Sequence, residues 1–230
     1  SLIPFVSASL ARRDTKGVSR IVTAAMRVTA LLALPAGIGL SVLSGPILHL
    51  LYPAVPETAA AAAPMLPLLG IAVIFVCLML LTNAILQSYG KQLVPIYTMV
   101  FGGLVKIGMN YVLVGNPEIN IHGAPISTLC CYMVIAGLNL YFVYRTLETK
   151  PHYLALFFKP ILASALMGAA VYAVFGLLNT RFGTSVSALG SILVGVVVYF
   201  VLVLALRILR AEDVQTMKKG DKLIKLLHLK

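Results

Sequence analysis

Residues Met65 to Ser88 read MLPLLGIAVIFVCLMLLTNAILQS and contain no charged side chain. A hydrocarbon core about 30 Å thick is crossed by a helix of roughly 20 apolar residues. The stretch is long enough to span a bilayer, and it has counterparts. Runs of the same character lie at about 24–51, 93–115, 123–145, 155–178 and 185–207. Strands of a membrane barrel would alternate apolar and polar residues over about ten positions. These runs do not alternate, so the reading is an all-α membrane protein with six transmembrane helices.

Composition agrees. The chain is 60% hydrophobic and 11% charged, with a mean hydropathy of +0.99, far from the balance of a soluble domain. The spans fill 1–207 and leave 208–230 as a basic tail. The opening SLIPFVSASL looks like the end of a preceding span broken by Pro4, so the chain reads as the C-terminal part of a longer protein. It lacks the basic n-region of a signal peptide. Cys77, Cys130 and Cys131 all fall within spans and form no C-x-x-C pair, which supports neither a disulfide framework nor a metal site. No cofactor is expected.

Charge orients the spans. Arg12, Arg13, Lys16 and Arg20 precede the first full span, whereas PAVPETAAAAAP after it has no Lys or Arg. By the positive-inside rule the first segment is cytoplasmic and the second external. The alternation continues through Lys91, through NPEINIH with no basic residue, and through Arg145, Lys150 and Lys159; only Arg181 lies outside. The net charge of +11 is then cytoplasmic anchoring rather than affinity for nucleic acid. The tail, with lysines interleaved among Leu223, Ile224, Leu226, Leu227 and Leu229, fits a short helix lying on the anionic inner leaflet.

Polar residues inside the spans mark candidate sites, because polar faces in lipid must look inward. Helical spacing puts Gly103, Lys106 and Asn110 on one face of the third span. Asn83 and Gln87 share a face in the second, and Thr128, Tyr132 and Asn139 in the fourth. Lys106 is expected roughly 15 Å from both interfaces, where a charge facing lipid costs about 2.5–3.5 kcal/mol on insertion scales. A hydrated pathway or an anionic ligand would relieve that cost, as would bonding to Asn110 and nearby carbonyls. All seven acids lie in loops, the tail or the basic hinge, so no carboxylate of this chain can pair with Lys106 at that depth. At the entry to the first span, Lys16, Arg20, Thr23 and Arg27 would form a cationic stripe if the helix starts early. Such a stripe serves interfacial anchoring, or docks a phosphate head group through Arg20 and Arg27. Pro35 and Pro46, with Gly37, Gly39 and Gly45 nearby, give the first span the interrupted character of transporter helices.

The stretches LLALPAGIGLSVLSGPILHLLY (31–52), AILQSYGKQLVPIYTMVFGGLVKIGMNYVLV (84–114) and NIHGAPISTLCCYMVIAGLNLYFVYR (120–145) resemble the C-terminal half of polysaccharide-exporting flippases. These are related to stage V sporulation protein B and to the peptidoglycan lipid II flippase. Their superfamily is that of multidrug, oligosaccharidyl-lipid and polysaccharide exporters. The most specific parts are LQSYGK at 86–91 and Lys106 with Asn110, followed by HGAP at 122–125.

The resemblance implies a two-lobe, fourteen-helix transporter of the bacterial cytoplasmic membrane, of which this chain holds most of the second lobe and two extra helices, with an N-terminal lobe as its partner. It implies carriage of an undecaprenyl-diphosphate-linked saccharide between leaflets by alternating access. The cavity would be cationic, and the extra helices would form a groove for the lipid tail. Lys106, Asn110, Asn83, Gln87 and Asn139 are then substrate-pathway candidates. A cation-coupled drug exporter of the same superfamily is a second reading, but such exporters depend on intramembrane carboxylates. A non-transporting scaffold of envelope synthesis is a third, and it has no use for Lys106. An enzyme would need a sizeable catalytic loop with poised acids or histidines, and His49 and His122 are isolated.

Overall fold

The structure, a computed structural model, describes residues 2–150, 152–206 and 208. Nine α-helices and one 3-10 turn account for the described elements, with no strand among them. They are α1 (Ile3–Ala11), α2 (Thr15–Val42), α3 (Ser44–Leu51), α4 (Pro56–Ala62) and α5 (Leu66–Ser88), followed by α6 (Leu93–Leu113), the turn Asn120–His122, α7 (Gly123–Thr146), α8 (Tyr153–Phe182) and α9 (Thr184–Ala205). Six helical segments are long and apolar enough to cross a membrane, and they coincide with the six runs of the sequence. The tail beyond 208, expected on the leaflet surface, lies outside the described residues.

The first span differs in detail from its hydropathy. The basic segment before it is helical from Thr15, because the Asp14 carboxylate accepts from the Gly17 N–H at 2.9 Å and caps the first turn. Lys16, Arg20, Thr23 and Arg27 therefore do share one helical face. The two prolines behave differently. Pro35 lies inside a continuous α2, whereas the break at Leu43, between α2 and α3, falls three residues before Pro46. Pro46 has no N–H to return to the Val42 carbonyl and its ring crowds that carbonyl, which is the cause of the break. Pro4 likewise sits in the first turn of α1, where a missing N–H is tolerated.

The helices form a chain of neighbours: α6 packs on α7, α7 on α5, α5 on α2, α2 on α8, and α8 on α9. Small residues set the close crossings. A Cβ on Gly37 would lie 2.6 Å from the Gly70 carbonyl oxygen, one on Gly168 2.7 Å from Ile38, and one on Gly195 2.7 Å from Val171. Between lipid tails there is no hydrophobic drive to associate, so such close backbone approach provides much of the attraction. Ser41 reinforces the α2–α5 crossing, its hydroxyl lying 2.8 Å from both the Gly37 and the Pro67 carbonyls. At the end of the bundle where the basic residues gather, Val6, Val18, Val22, Met26, Ile85, Leu86, Val143 and Leu156 join α1, α2, α5, α7 and α8 in one apolar cluster.

Candidate functional site

Three helices contribute to a polar row in the apolar interior. Asn139 on α7 is fully buried. Its amide nitrogen donates to the Asn83 side-chain oxygen on α5 at 2.7 Å, and its amide oxygen accepts from the Thr98 hydroxyl on α6 at 2.7 Å. One side chain thus ties together α5 and α6, which otherwise touch little. Asn83 completes its donors against the Met99 sulfur at 3.9 Å. A buried amide without partners would be costly, and this one is paired on both sides.

Further along α6, Asn110 accepts a short hydrogen bond from the Ser127 hydroxyl of α7. Met99, Gly103, Lys106 and Asn110 follow at i, i+4, i+7 and i+11, so Lys106 lies on the same flank between two residues already engaged with the neighbouring helices. Lys106 is half-buried. It makes no hydrogen bond to Asn110 and no ion pair among the described residues. Because α6 ends at Leu113, Lys106 is only about 10 Å from that end, nearer than the sequence implied. An open cavity of about 860 Å³ begins at the adjacent Ile107 and is lined further by Asn110, Tyr111, Gly115, Asn116 and Ala124 among others. Gly102, not Gly103, provides the close contact with α7: a Cβ there would collide with Ile135, while one on Gly103 meets nothing.

The remaining sequence candidates lie apart from this row. Gln87 is exposed near the end of α5, one turn beyond Asn83 but outside its hydrogen-bond network. Arg20 is exposed and Arg27 half-buried on α2, at the basic end. Thr98 and Ser127 were missed, since an isolated Thr or Ser in a span usually satisfies itself on its own backbone. The i−8 spacing of Thr98 from Lys106 was the available signal.

A second feature is apolar. Leu31, Pro35, Gly39 and Leu43 of α2, Met167 and Val171 of α8, and Gly195 and Tyr199 of α9 line a groove of about 500 Å³. Its α2 wall prolongs the helix that carries Lys16, Arg20 and Arg27, with Arg27 about one turn before Leu31.

The basic end is held by specific contacts. Lys91 donates to the Thr146 hydroxyl at 2.9 Å, Arg145 stacks on Tyr141, Lys150 lies 4.8 Å over the ring of Tyr144, and Lys159 donates to the Leu206 carbonyl at 3.1 Å, capping α9. Tyr89, just past α5, has its phenol pushed up by burial and by the nearby Glu148 carboxylate.

Six helices long and apolar enough to cross a membrane, a buried polar row and an apolar groove define a multi-pass helical membrane protein. The comparisons are more specific. A family model described as lipid II flippase MurJ matches residues 1–206, and the chain belongs to that family. It is 26% identical over 235 aligned positions to the uncharacterized membrane protein YabM of Bacillus subtilis, covering 99% of this chain and 42% of that protein. It is 29% identical over 187 positions to the probable lipid II flippase MurJ of Thermotoga maritima, covering 80% of this chain and 36% of that protein. The chain thus spans about two-fifths of the length of these relatives.

Proposed function

We propose that this chain is the second-lobe portion of a flippase that carries an undecaprenyl-diphosphate-linked saccharide, a peptidoglycan or polysaccharide precursor, across the bacterial cytoplasmic membrane by alternating access. The observation that carries the reading is the continuity of α2. One uninterrupted helix bears the cationic stripe of Lys16, Arg20 and Arg27 and then the wall of the apolar groove. An amphiphile with an anionic head and a long hydrocarbon tail matches that sequence of environments. Arginine forks suit phosphate oxygens, and the groove removes apolar surface without any polar partner to satisfy.

In this mechanism Arg20 and Arg27 receive the diphosphate at the cytoplasmic side while the tail remains in the groove between α2, α8 and α9. The head group then passes along the polar row. Asn83 and Asn139 hold α5, α6 and α7 in register, and Lys106 and Asn110 offer a cation and an amide to the phosphate and sugar. Lys106 without a carboxylate partner is suited to an anionic cargo rather than to cation coupling. Gln87 stands at the cytoplasmic mouth of α5, and the other lobe completes the cavity. The break at Leu43 lets α2 and α3 tilt separately as access alternates.

The test is flipping of a fluorescent lipid-linked saccharide in proteoliposomes containing the full-length protein. Gly39 has room for a side chain, its virtual Cβ lying 3.9 Å from the Met167 methyl carbon, so Gly39→Phe fills the groove without disturbing a crossing. Flipping should fall several-fold, while Gly176→Phe, which points into open space on α8, leaves it unchanged. Equal rates in both variants would remove the tail from the groove.

A further inference from the structure

Pro35 leaves a backbone acceptor unused. In an α-helix the carbonyl of residue 31 accepts from the N–H of residue 35, and a proline at 35 has none. An open carbonyl in the hydrocarbon region is costly, and here it is satisfied from another helix: the Tyr199 hydroxyl of α9 donates to the Leu31 carbonyl at 2.8 Å. Three of these residues, Leu31, Pro35 and Tyr199, also line the apolar groove. Beyond them Leu31 packs with Ala163, Val203 and Ile208, which closes that end. Beside the Tyr199 hydroxyl sits Ser164 of α8. Its own hydroxyl is fully buried and makes no backbone hydrogen bond, although a serine inside a helix ordinarily bonds back to its own backbone, and the polar group it faces is the Tyr199 phenol.

We infer that Tyr199 is a lipid-released latch: its hydroxyl holds α2 at Pro35 while the groove is empty, and a hydrocarbon chain reaching the Leu31 end displaces it toward Ser164. The inference rests on the reading that the groove takes the tail of the cargo, and it adds a device by which loading of the tail is felt in α2. The parts fit together chemically. Displacement of the hydroxyl from Leu31 would normally strand a buried donor, but the Ser164 hydroxyl beside the phenol can accept it. The freed Leu31 carbonyl faces the missing N–H of Pro35, so baring it has a cost that only the apolar contacts of the arriving chain offset, and release loosens the helix at Pro35. Tyr199 acts through α2 and is a positioning residue.

The test uses the full-length protein in nanodiscs with spin labels at Thr15→Cys and Val201→Cys, both exposed positions outside the cationic stripe, on a background in which the other cysteines are replaced, and reads the α2–α9 distance distribution. Tyr199→Phe keeps the ring and removes the donor; it should broaden or shift the distribution, and change the flipping rate by about two- to tenfold, the range of one net hydrogen bond. Pro35→Ala returns an N–H to the Leu31 carbonyl. In that background Tyr199→Phe should have no further effect, whereas a tyrosine that merely fills space would cost the same with either residue at 35. Undecaprenyl diphosphate added to the unsubstituted labelled protein should move its distribution toward that of Tyr199→Phe, and should move the variant no further. The latch is overturned if Tyr199→Phe leaves the distances unchanged, if Pro35→Ala does not rescue it, or if the prenyl diphosphate has no effect on the labelled protein. Should Tyr199→Phe fail to accumulate, its recovery in the double variant supports the latch and continued loss sinks it. Failure of the groove reading itself shows separately, in the indifference of flipping to Gly39→Phe, since the mutational cycle between 35 and 199 needs no lipid.

Discussion

Asn139 illustrates how much one side chain can decide in a bilayer. Its amide bridges α5 and α6 through two hydrogen bonds, beside the single direct contact of the Asn83 amide with the Met99 sulfur. Asn139→Leu keeps much of the volume but leaves the Asn83 oxygen and the Thr98 hydroxyl to find new partners. A loss of about 1–3 kcal/mol is expected, read as a lower unfolding midpoint in detergent; a midpoint within error of the parent would show that lipid or water replaces the contact freely. Lys106 makes the opposite prediction. It engages no hydrogen-bond partner among the described residues, so Lys106→Ala should leave that midpoint nearly unchanged while lowering flipping, and Lys106→Arg should retain more activity than Ala. Unchanged flipping in Lys106→Ala would reduce the lysine to an anchor that reaches toward the cavity mouth near Asn110.

Among the helices, the α2–α5 crossing depends on Gly37 and Gly70 lying against each other's backbones. Gly37→Leu would place its Cβ against the Gly70 carbonyl, where no side chain can yield, and should cost about 1–3 kcal/mol by overpacking, measurable as loss of folded protein on size-exclusion in detergent. Pro46→Ala acts at the end of the same helix: with an N–H restored toward Val42, α2 and α3 should merge, raising the unfolding midpoint while slowing flipping.

These examples also show where the sequence could be read. Hydropathy found every span, because apolar length is a local property of MLPLLGIAVIFVCLMLLTNAILQS and its counterparts. It could not see the break at Leu43, since 36–48 carries no charged residue and the break arises from a single missing N–H, to which only Pro46 points. It also placed the start of the first helix too late. Arg12, Arg13 and Lys16 look like a loop by charge; Arg12 and Arg13 do form a turn, but the Asp14 cap starts the helix at Thr15, beneath Lys16. In the polar row, Asn83, Asn110 and Asn139 stood out by residue type. Their true partners, Thr98 and Ser127, emerge only when three helices come together, and Gln87 shares the face of Asn83 without reaching that assembly.

For the whole molecule, the orientation is the property most open to direct measurement. Lys16, Lys91, Arg145 and Lys150 lie at one end of the bundle and Glu57 and Glu118 at the other. With cysteines introduced into the full-length protein, Lys150→Cys should be protected from a membrane-impermeant maleimide in intact cells and Pro117→Cys should react. The reverse pattern would turn the proposed transport direction over.

The α8–α9 connection carries one more consequence. Gly183, with φ at +73°, is at once the C-cap of α8 and the residue before α9, a conformation that suits glycine and strains other residues. A single residue suffices to reverse the chain, so the two long helices leave the ribosome almost back to back and can enter the bilayer as one preassembled hairpin with little polar mass between them to translocate. Gly183→Val should therefore show first in biogenesis, as less full-length protein inserted and more degraded during synthesis, before any effect on the mature molecule can be measured.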